Sequence, residues 1–372
     1  MILILCAGLI VIALVTCLML MLPALARPTM PFGVRVGVQR VNDPAVIAAR
    51  RVYGRLTVVA AAFAAVVSVP VVLVTGSAAA IGITASVVAV ADVLVFYRAH
   101  RMIRTAKLIG AWTTERRQAV AVDTTFRTDP VRVPWSWGLS ALGVLLLTAA
   151  VGWARHGSLP ATLPQFFEFG TDSTQREPTT VLSAFQPVIY QIAVSLIVVA
   201  VVMVVLRARP DLDAARPRGS ARRYRIYLRG MAVMTLLTAA CLNLSLLLAA
   251  LHLWEIVTPT IVWQVMIYVP LLVLAGGWLT WEIKVGQAGH RLPALPGEEQ
   301  EDSGLGQRDD DHHWFLAGAV YVNRRDPALL VHDRLGSSSW TLNLGHPIAW
   351  LLLGALAVGL IVLAVLLLTG AL

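Results

Sequence analysis

Apolar residues fall in long unbroken blocks along this chain, and the polar residues between the blocks are mostly basic. Eight blocks approach the roughly 20 residues that a membrane-crossing helix needs: Ile2–Leu22, Leu56–Thr75, Ser77–Tyr97, Trp135–Trp153, Phe185–Leu206, Met231–Leu253, Val257–Trp281 and Pro347–Leu368. None alternates with the two-residue period of a barrel strand. In lipid the backbone has to bond to itself, so the blocks predict helices. Near the C-terminus three shorter runs, Trp314–Val322, Leu329–His332 and Trp340–Leu344, are strand-like, with turns at Asn323–Pro327 and around Gly336. The pattern predicts an all-α polytopic membrane protein of about eight transmembrane helices, with a small cytosolic β-meander before the last helix.

The same pattern divides the chain. Residues 1–292 form a seven-helix membrane region, 293–313 a linker, 314–345 the meander and 346–372 the last helix. The linker is acidic and is read as flexible: Glu298, Glu299, Glu301, Asp302, Asp309, Asp310 and Asp311 face only Arg308. Composition agrees with a bilayer solvent, since 58% of residues are apolar and 14% charged. Cys6, Cys17 and Cys241 all lie in apolar blocks and read as packing residues without a disulfide. The first block is read as a retained helix, not a cleaved leader.

Charge then orients the helices. Arg27–Arg55 holds six Lys and Arg residues, Arg98–Arg132 eight, Arg207–Arg229 eight and Lys284–Arg334 six, while the remaining connections hold only Arg155 and Arg176. The positive-inside rule places the four rich stretches in the cytosol. Both termini and the Pro- and Phe-rich stretch 154–186 are then extracytoplasmic in a multi-pass cell-membrane protein. Basic residues flanking helices would draw anionic inner-leaflet lipids, and they argue against nucleic acid as a partner because no free basic domain exists.

Local signals refine this. Asp43-Pro44 is a helix start, and its helix runs into the second block. The second and third blocks, rich in Ala, Gly and Ser, predict a tight hairpin. Beyond Tyr97 the helix is expected to continue along the inner surface, with Arg98, Arg101 and Arg104 on one side and Met102, Ile109 and Trp112 on the other. Trp135, Trp137, Trp153, Trp254, Trp278 and Trp281 mark block ends and are expected as interfacial anchors. Ala119–Val122 is a short strand-like piece that would add to the meander.

No catalytic or phosphate-binding motif occurs: His-Glu-x-x-His, Gly-x-Ser-x-Gly, a Gly-rich phosphate loop and Cys-x-x-Cys are all missing. The expectation is a non-enzyme without cofactor. Asp309-Asp310-Asp311-His312-His313 has metal-ligating side chains, but consecutive residues converge poorly, so no dedicated metal site is expected. Asp92 is the acidic residue well inside a block, and an intramembrane carboxylate is a functional hypothesis by default. Asn243 and His252 are further intramembrane polar candidates, with interhelical bonding the plainer reading. In the outer stretch, Phe166, Phe167 and Phe169 stand beside Glu168 and Asp172, a combination suited to an amphipathic cationic peptide. Capping of the bundle by phenylalanines in the outer leaflet is the simpler alternative.

Leu159-Pro160-Ala161-Thr162-Leu163-Pro164, then Phe166-Phe167 and Gly170-Thr171-Asp172, resembles the extracytoplasmic signature of SdpI-like bacterial membrane proteins. The chain departs from that signature in having Gln165-Phe166 where a histidine and an aromatic usually stand, and Pro178-Thr179-Thr180 in place of Lys-Ser. The stretch from Trp314 through Tyr321, Asn323, Asp326-Pro327, Arg334, Gly336 and Trp340 to Asn343 is similar to a short domain of unknown function that closes many actinobacterial and firmicute membrane proteins. Pro31-Phe32-Gly33-Val34-Arg35-Val36 fits the same group. The resemblance implies a receptor or immunity protein that meets an extracytoplasmic peptide or envelope ligand and a cytosolic regulator. A small-solute or ion permease using Asp92 and a structural membrane-assembly partner are the alternatives.

Overall fold

A computed structural model describes residues 2–75, 79–112, 116–164, 176–258, 260–336 and 338–369. Its helices are α1 (Ile2–Leu25), α2 (Pro44–Thr75), α3 (Ala79–Ile109), α4 (Thr125–Thr128), α5 (Trp135–His156), α6 (Val181–Leu206), α7 (Pro217–Leu253), α8 (Ile261–Lys284) and α9 (Pro347–Thr369). Short strands accompany them: β1 (Gln118–Ala119), β2 (Thr162–Pro164), β3 (Arg176–Pro178), β4 (Gly306–Gln307), β5 (Trp314–Phe315), β6 (Val320–Tyr321), β7 (Leu330–His332) and β8 (Trp340–Leu342). Among the described residues seven helices, α1 to α3 and α5 to α8, are long and apolar enough to cross a membrane, and Pro347–Val362 of α9 is a shorter apolar segment. This is a multi-pass integral membrane protein. Its helices carry Val59, Phe63, Leu146, Leu196 and Leu272 on their outer faces, a pattern that lipid tolerates and water does not.

Six of the eight expected blocks lie wholly within one helix, Val257 and Thr258 of the seventh precede α8, Ser77 and Ala78 of the third lie outside the described residues, and several helices outrun their blocks. Asp43 caps α2 by accepting from the Ala45 N–H at 3.0 Å, with Pro44 in the first turn, so the polar residues 44–55 join the apolar run. Beyond Tyr97 the chain continues α3 to Ile109. Its Ala99 and Ile103 are buried in a protein core instead of facing an interface, which departs from the surface-lying helix expected there. At α6, Thr180 and Ser183 form a reciprocal capping box: Ser183 N–H donates to Thr180 Oγ1 at 3.1 Å and Thr180 N–H to Ser183 Oγ at 2.8 Å.

The chain forms two compact units. The first comprises Met1–Val122, Arg209–Ala221 and Val285–Leu372; the second comprises Asp123–Ala208 and Arg222–Lys284. In the first, α1, α2 and α3 pack around Ile12, Ala64 and Val88, and the Tyr53 hydroxyl donates to the Met19 carbonyl at 2.8 Å. One end of this bundle meets a cap built from residues 285–346. The run 314–322, expected as one strand, is broken in two: Leu316, Ala317 and Gly318 all have positive φ and turn β5 back onto β6. β7 and β8 form a separate antiparallel pair, and a bridge from Tyr321 to Asn343 links the two hairpins. Residues 118–119 pair in parallel with β4 and not with the hairpins, so the expected added strand goes to the acidic segment instead.

In the second unit α5, α6 and α7 pack on Ala141, Val198, Val202, Ala232 and Leu236. Gly230 lets α8 approach, because any Cβ there would collide with the Trp281 ring. Trp254 is a core residue at 1% exposure, donating from Nε1 to the Ala184 carbonyl at 2.9 Å. Trp278 donates to Thr238 Oγ1 at 3.2 Å. These three tryptophans pack within the helix bundle, whereas Trp135, Trp137 and Trp153 are exposed as an interfacial belt requires.

Candidate functional site: a buried carboxylate in the first bundle

Asp92 sits midway along α3. Val88 and Phe96, one turn before and one turn after, are both buried, so the carboxylate shares their inward face. It is 1% exposed, and neither Oδ1 nor Oδ2 has a hydrogen-bond partner among the described residues. Among the described residues no arginine pairs with it. Tyr53 lies within its electrostatic range. Thr57, one turn further along α2, is fully buried beside Tyr53. Such a carboxylate is costly in hydrocarbon, and it is stabilised by whatever cation reaches it.

On the Lys107 side of Asp92 an aromatic cluster fills the bundle. Phe32 comes from the connection between α1 and α2 and is 1% exposed. Its ring centroid lies 5.1 Å from Tyr53 and 5.3 Å from Phe96, in geometry that aromatic quadrupoles favour. His100 Nδ1 donates to the Phe32 carbonyl at 2.8 Å, a carbonyl being able only to accept. Phe32 has φ +49°, an uncommon conformation for a bulky residue. Gly33 follows at φ +78°, and a Cβ there would collide with the Ala317 carbonyl of the cap.

The acidic segment meets this end of α3. Lys107 Nζ pairs with Asp309 at 2.6 Å and Asp311 at 2.7 Å, and donates to the Arg35 carbonyl at 2.8 Å. Arg334, with its side chain 2% exposed, forks to Asp310 and Asp311 and lies 4.6 Å over the Trp314 ring. Burial opposes the charge on both aspartates, but Arg334, helped by Arg35 at Asp310 and Lys107 at Asp311, holds them below the usual carboxylate range. Asp211 is half-buried, and the Arg27 guanidinium at 2.6 Å outweighs its desolvation and keeps it well below that range. His332 is pushed down to about 3 by burial and then by Arg27. Arg116 and Asp302 form a two-pronged surface pair at 2.7 and 2.8 Å. The stretch 309–313 directs its three aspartates at cations of the protein, and among the described residues no group of three His, Cys, Asp or Glu is arranged for a metal.

The other intramembrane polar residues belong to the second unit. Asn243 Nδ2 donates to the Ala141 carbonyl and to Ser195 Oγ, both at 3.1 Å. Gln191 Nε2 donates to the Asn243 carbonyl and to Thr148 Oγ1, both at 2.8 Å. This joint ties α5, α6 and α7 together, the interhelical role expected of such side chains. His252 is half-buried near the end of α7, and its Nδ1 has no partner among the described residues. Phe166, Phe167, Glu168, Phe169 and Asp172 lie outside the described residues. The described stem on either side of them is well fixed. β2 pairs with β3, Leu163 is fully buried against Trp254 and its neighbours, and Arg176 pairs with Glu255 at 2.6 Å.

Sequence reading singled out Asp92, Asn243 and His252 but not Phe32, Lys107, Asp310 or Asp311 as parts of one arrangement. The charge balance between Asp309–Asp311 and a basic helix end was the available signal. Pairing over about 200 positions of sequence leaves no local pattern. No family model matches the chain, and no curated protein or solved structure matches it.

Proposed function

We propose that this protein is a cation-linked membrane permease in which Asp92 takes up and releases the coupling ion, a proton or an alkali cation. One observation carries the reading: a carboxylate 1% exposed within a helix bundle, with no partner for either oxygen among the described residues. A cation neutralises that charge on arrival and restores it on leaving, so occupancy alters the packing energy between α2 and α3. In proteoliposomes carrying a pH or sodium gradient, Asp92→Asn is expected to lose gradient-driven flux entirely while Asp92→Glu retains part of it. A wild type that moves no ion, or an Asn variant as active as wild type, would refute the permease.

A second reading, the extracytoplasmic receptor of the SdpI-like resemblance, is favoured by the β2–β3 stem, a paired element between α5 and α6 whose strands flank residues 165–175 in sequence. The ligand is then an amphipathic cationic peptide meeting Phe166, Phe167, Glu168, Phe169 and Asp172, and a cytosolic regulator reads the cap. Both readings place the stem outside and the cap inside, with both termini outside and anionic lipids against the arginines that begin α7. A Ser173→Cys variant in intact cells should react with an impermeant thiol reagent. Reaction only with a permeant one reverses the orientation.

A further inference from the structure

We propose that Phe32 is a gate between Asp92 and the Lys107 end of α3, and that the Arg334 ion-pair cluster is its latch. The inference rests on the reading of Asp92 as an ion site. Phe96 is one turn from Asp92 and Lys107 is fifteen residues along the same helix, roughly 22 Å at 1.5 Å per residue. An ion leaving Asp92 toward Lys107 therefore meets Phe32 first, wedged between Tyr53 and Phe96.

The plug is not part of a membrane helix. It sits on a three-residue turn and is held by what surrounds its backbone: His100 on the Phe32 carbonyl, and Ala317 and Gly318 of the cap against Gly33. Arg334 reaches the Gly33 carbonyl at 3.4 Å with the same guanidinium that binds Asp310 and Asp311. Lys107 closes the circuit by fixing Asp309 and Asp311 to the end of α3. Moving the cap by a few ångströms frees Gly33, and Phe32 leaves its left-handed conformation as the ring withdraws. Strain at Phe32 favours opening, and the ion pairs favour closure, which gives the two arrangements that a gate requires.

The test reads access to position 92 directly. In a full-length chain with Cys6, Cys17 and Cys241 replaced by Ser, Asp92→Cys is exposed to an impermeant methanethiosulfonate in inside-out and right-side-out vesicles. Adding Phe32→Ala or Arg334→Gln should raise the modification rate from the Lys107 face by at least about tenfold, since the rate tracks the open population. Phe63→Ala, on the lipid-facing side of α2, should leave it unchanged. Arg334→Gln keeps the aromatic core intact, and Phe32→Leu, which retains most of the bulk, should give an intermediate rise if Phe32→Ala fails to fold. Unchanged rates in the Arg334 and Phe32 variants overturn the gate. A rise confined to the Phe32 variants overturns the latch. Asp92-dependent flux with unchanged thiol rates removes the gate alone, and raised thiol rates without Asp92-dependent flux remove the permease alone.

Discussion

Replacing Arg334 with Leu should loosen the cap by about 3 kcal/mol, the low end of the range for breaking a buried ion pair. The guanidinium is 2% exposed and serves two aspartates, one carbonyl and the Trp314 ring at once. A leucine fills part of the volume and leaves Asp310 and Asp311 with less compensation. The loss stays at the low end because Arg35 remains 3.4 Å from Asp310 and Lys107 remains on Asp311. Amide hydrogen exchange across β4 to β8 should then accelerate by roughly a hundredfold. Adding Asp310→Asn and Asp311→Asn to the Leu variant should recover a large part of the loss, because the stranded charges are the expensive component. Exchange indistinguishable from wild type in the single variant would mean that the cluster does not hold the cap.

Acidification should open the same cap from its other side. His332 is held neutral, down to about 3, by burial and by Arg27, with Arg209 adding to the effect and Asp211 opposing it. In the unfolded segment an ordinary histidine takes a proton near 6.5. Below that pH the open form binds a proton that the closed form refuses, so closure weakens as pH falls. The slope is about 1.4 kcal/mol per pH unit below 6.5, continuing toward the folded value. The depressed carboxylates Asp211, Asp310 and Asp311 act with the same sign but only once the pH nears their unperturbed value of 3.8, so the loss above pH 5 belongs to the histidines, chiefly His332, with His313 of the same cap also lowered by burial. Proteinase K cleavage within residues 293–346 should rise about tenfold between pH 7.5 and 5.5, and His332→Gln should remove most of that dependence, leaving the part due to His313. Parallel pH profiles for the two proteins would exclude His332 as its source.

The helices were legible because their signal is local: about twenty apolar residues in a row have one solution in lipid, and every such run has most of its length in a helix. Their ends were harder. Residues 98–109 and 217–230 are as polar as a loop, and they are helical because the protein itself covers part of their surface, as Ala99, Ile103 and Tyr227 show. Asp92 stood out by charge alone. Trp254, Trp278 and Trp281 misled because an indole at a block end reads as an anchor whether it faces lipid or a neighbouring helix, and only the packing of Gly230, Ala184 and Thr238 decides. The cap was legible as strands but not as pairings. The turn at Leu316–Gly318 uses non-glycine residues in left-handed conformations, which no turn rule selects, and its partners lie some 285 positions earlier, at Gly33.

The first unit is drawn from three separated stretches, with the closing one beginning only at Val285. A ribosome adding about 5–20 residues per second needs on the order of ten seconds to pass from Val122 to that point. Throughout that interval the newborn first bundle holds Lys107 and Arg35 without the aspartates at 309–311 that later neutralise them. Biogenesis therefore has a built-in waiting period, and any factor that shelters exposed cations during translation would act on this bundle then.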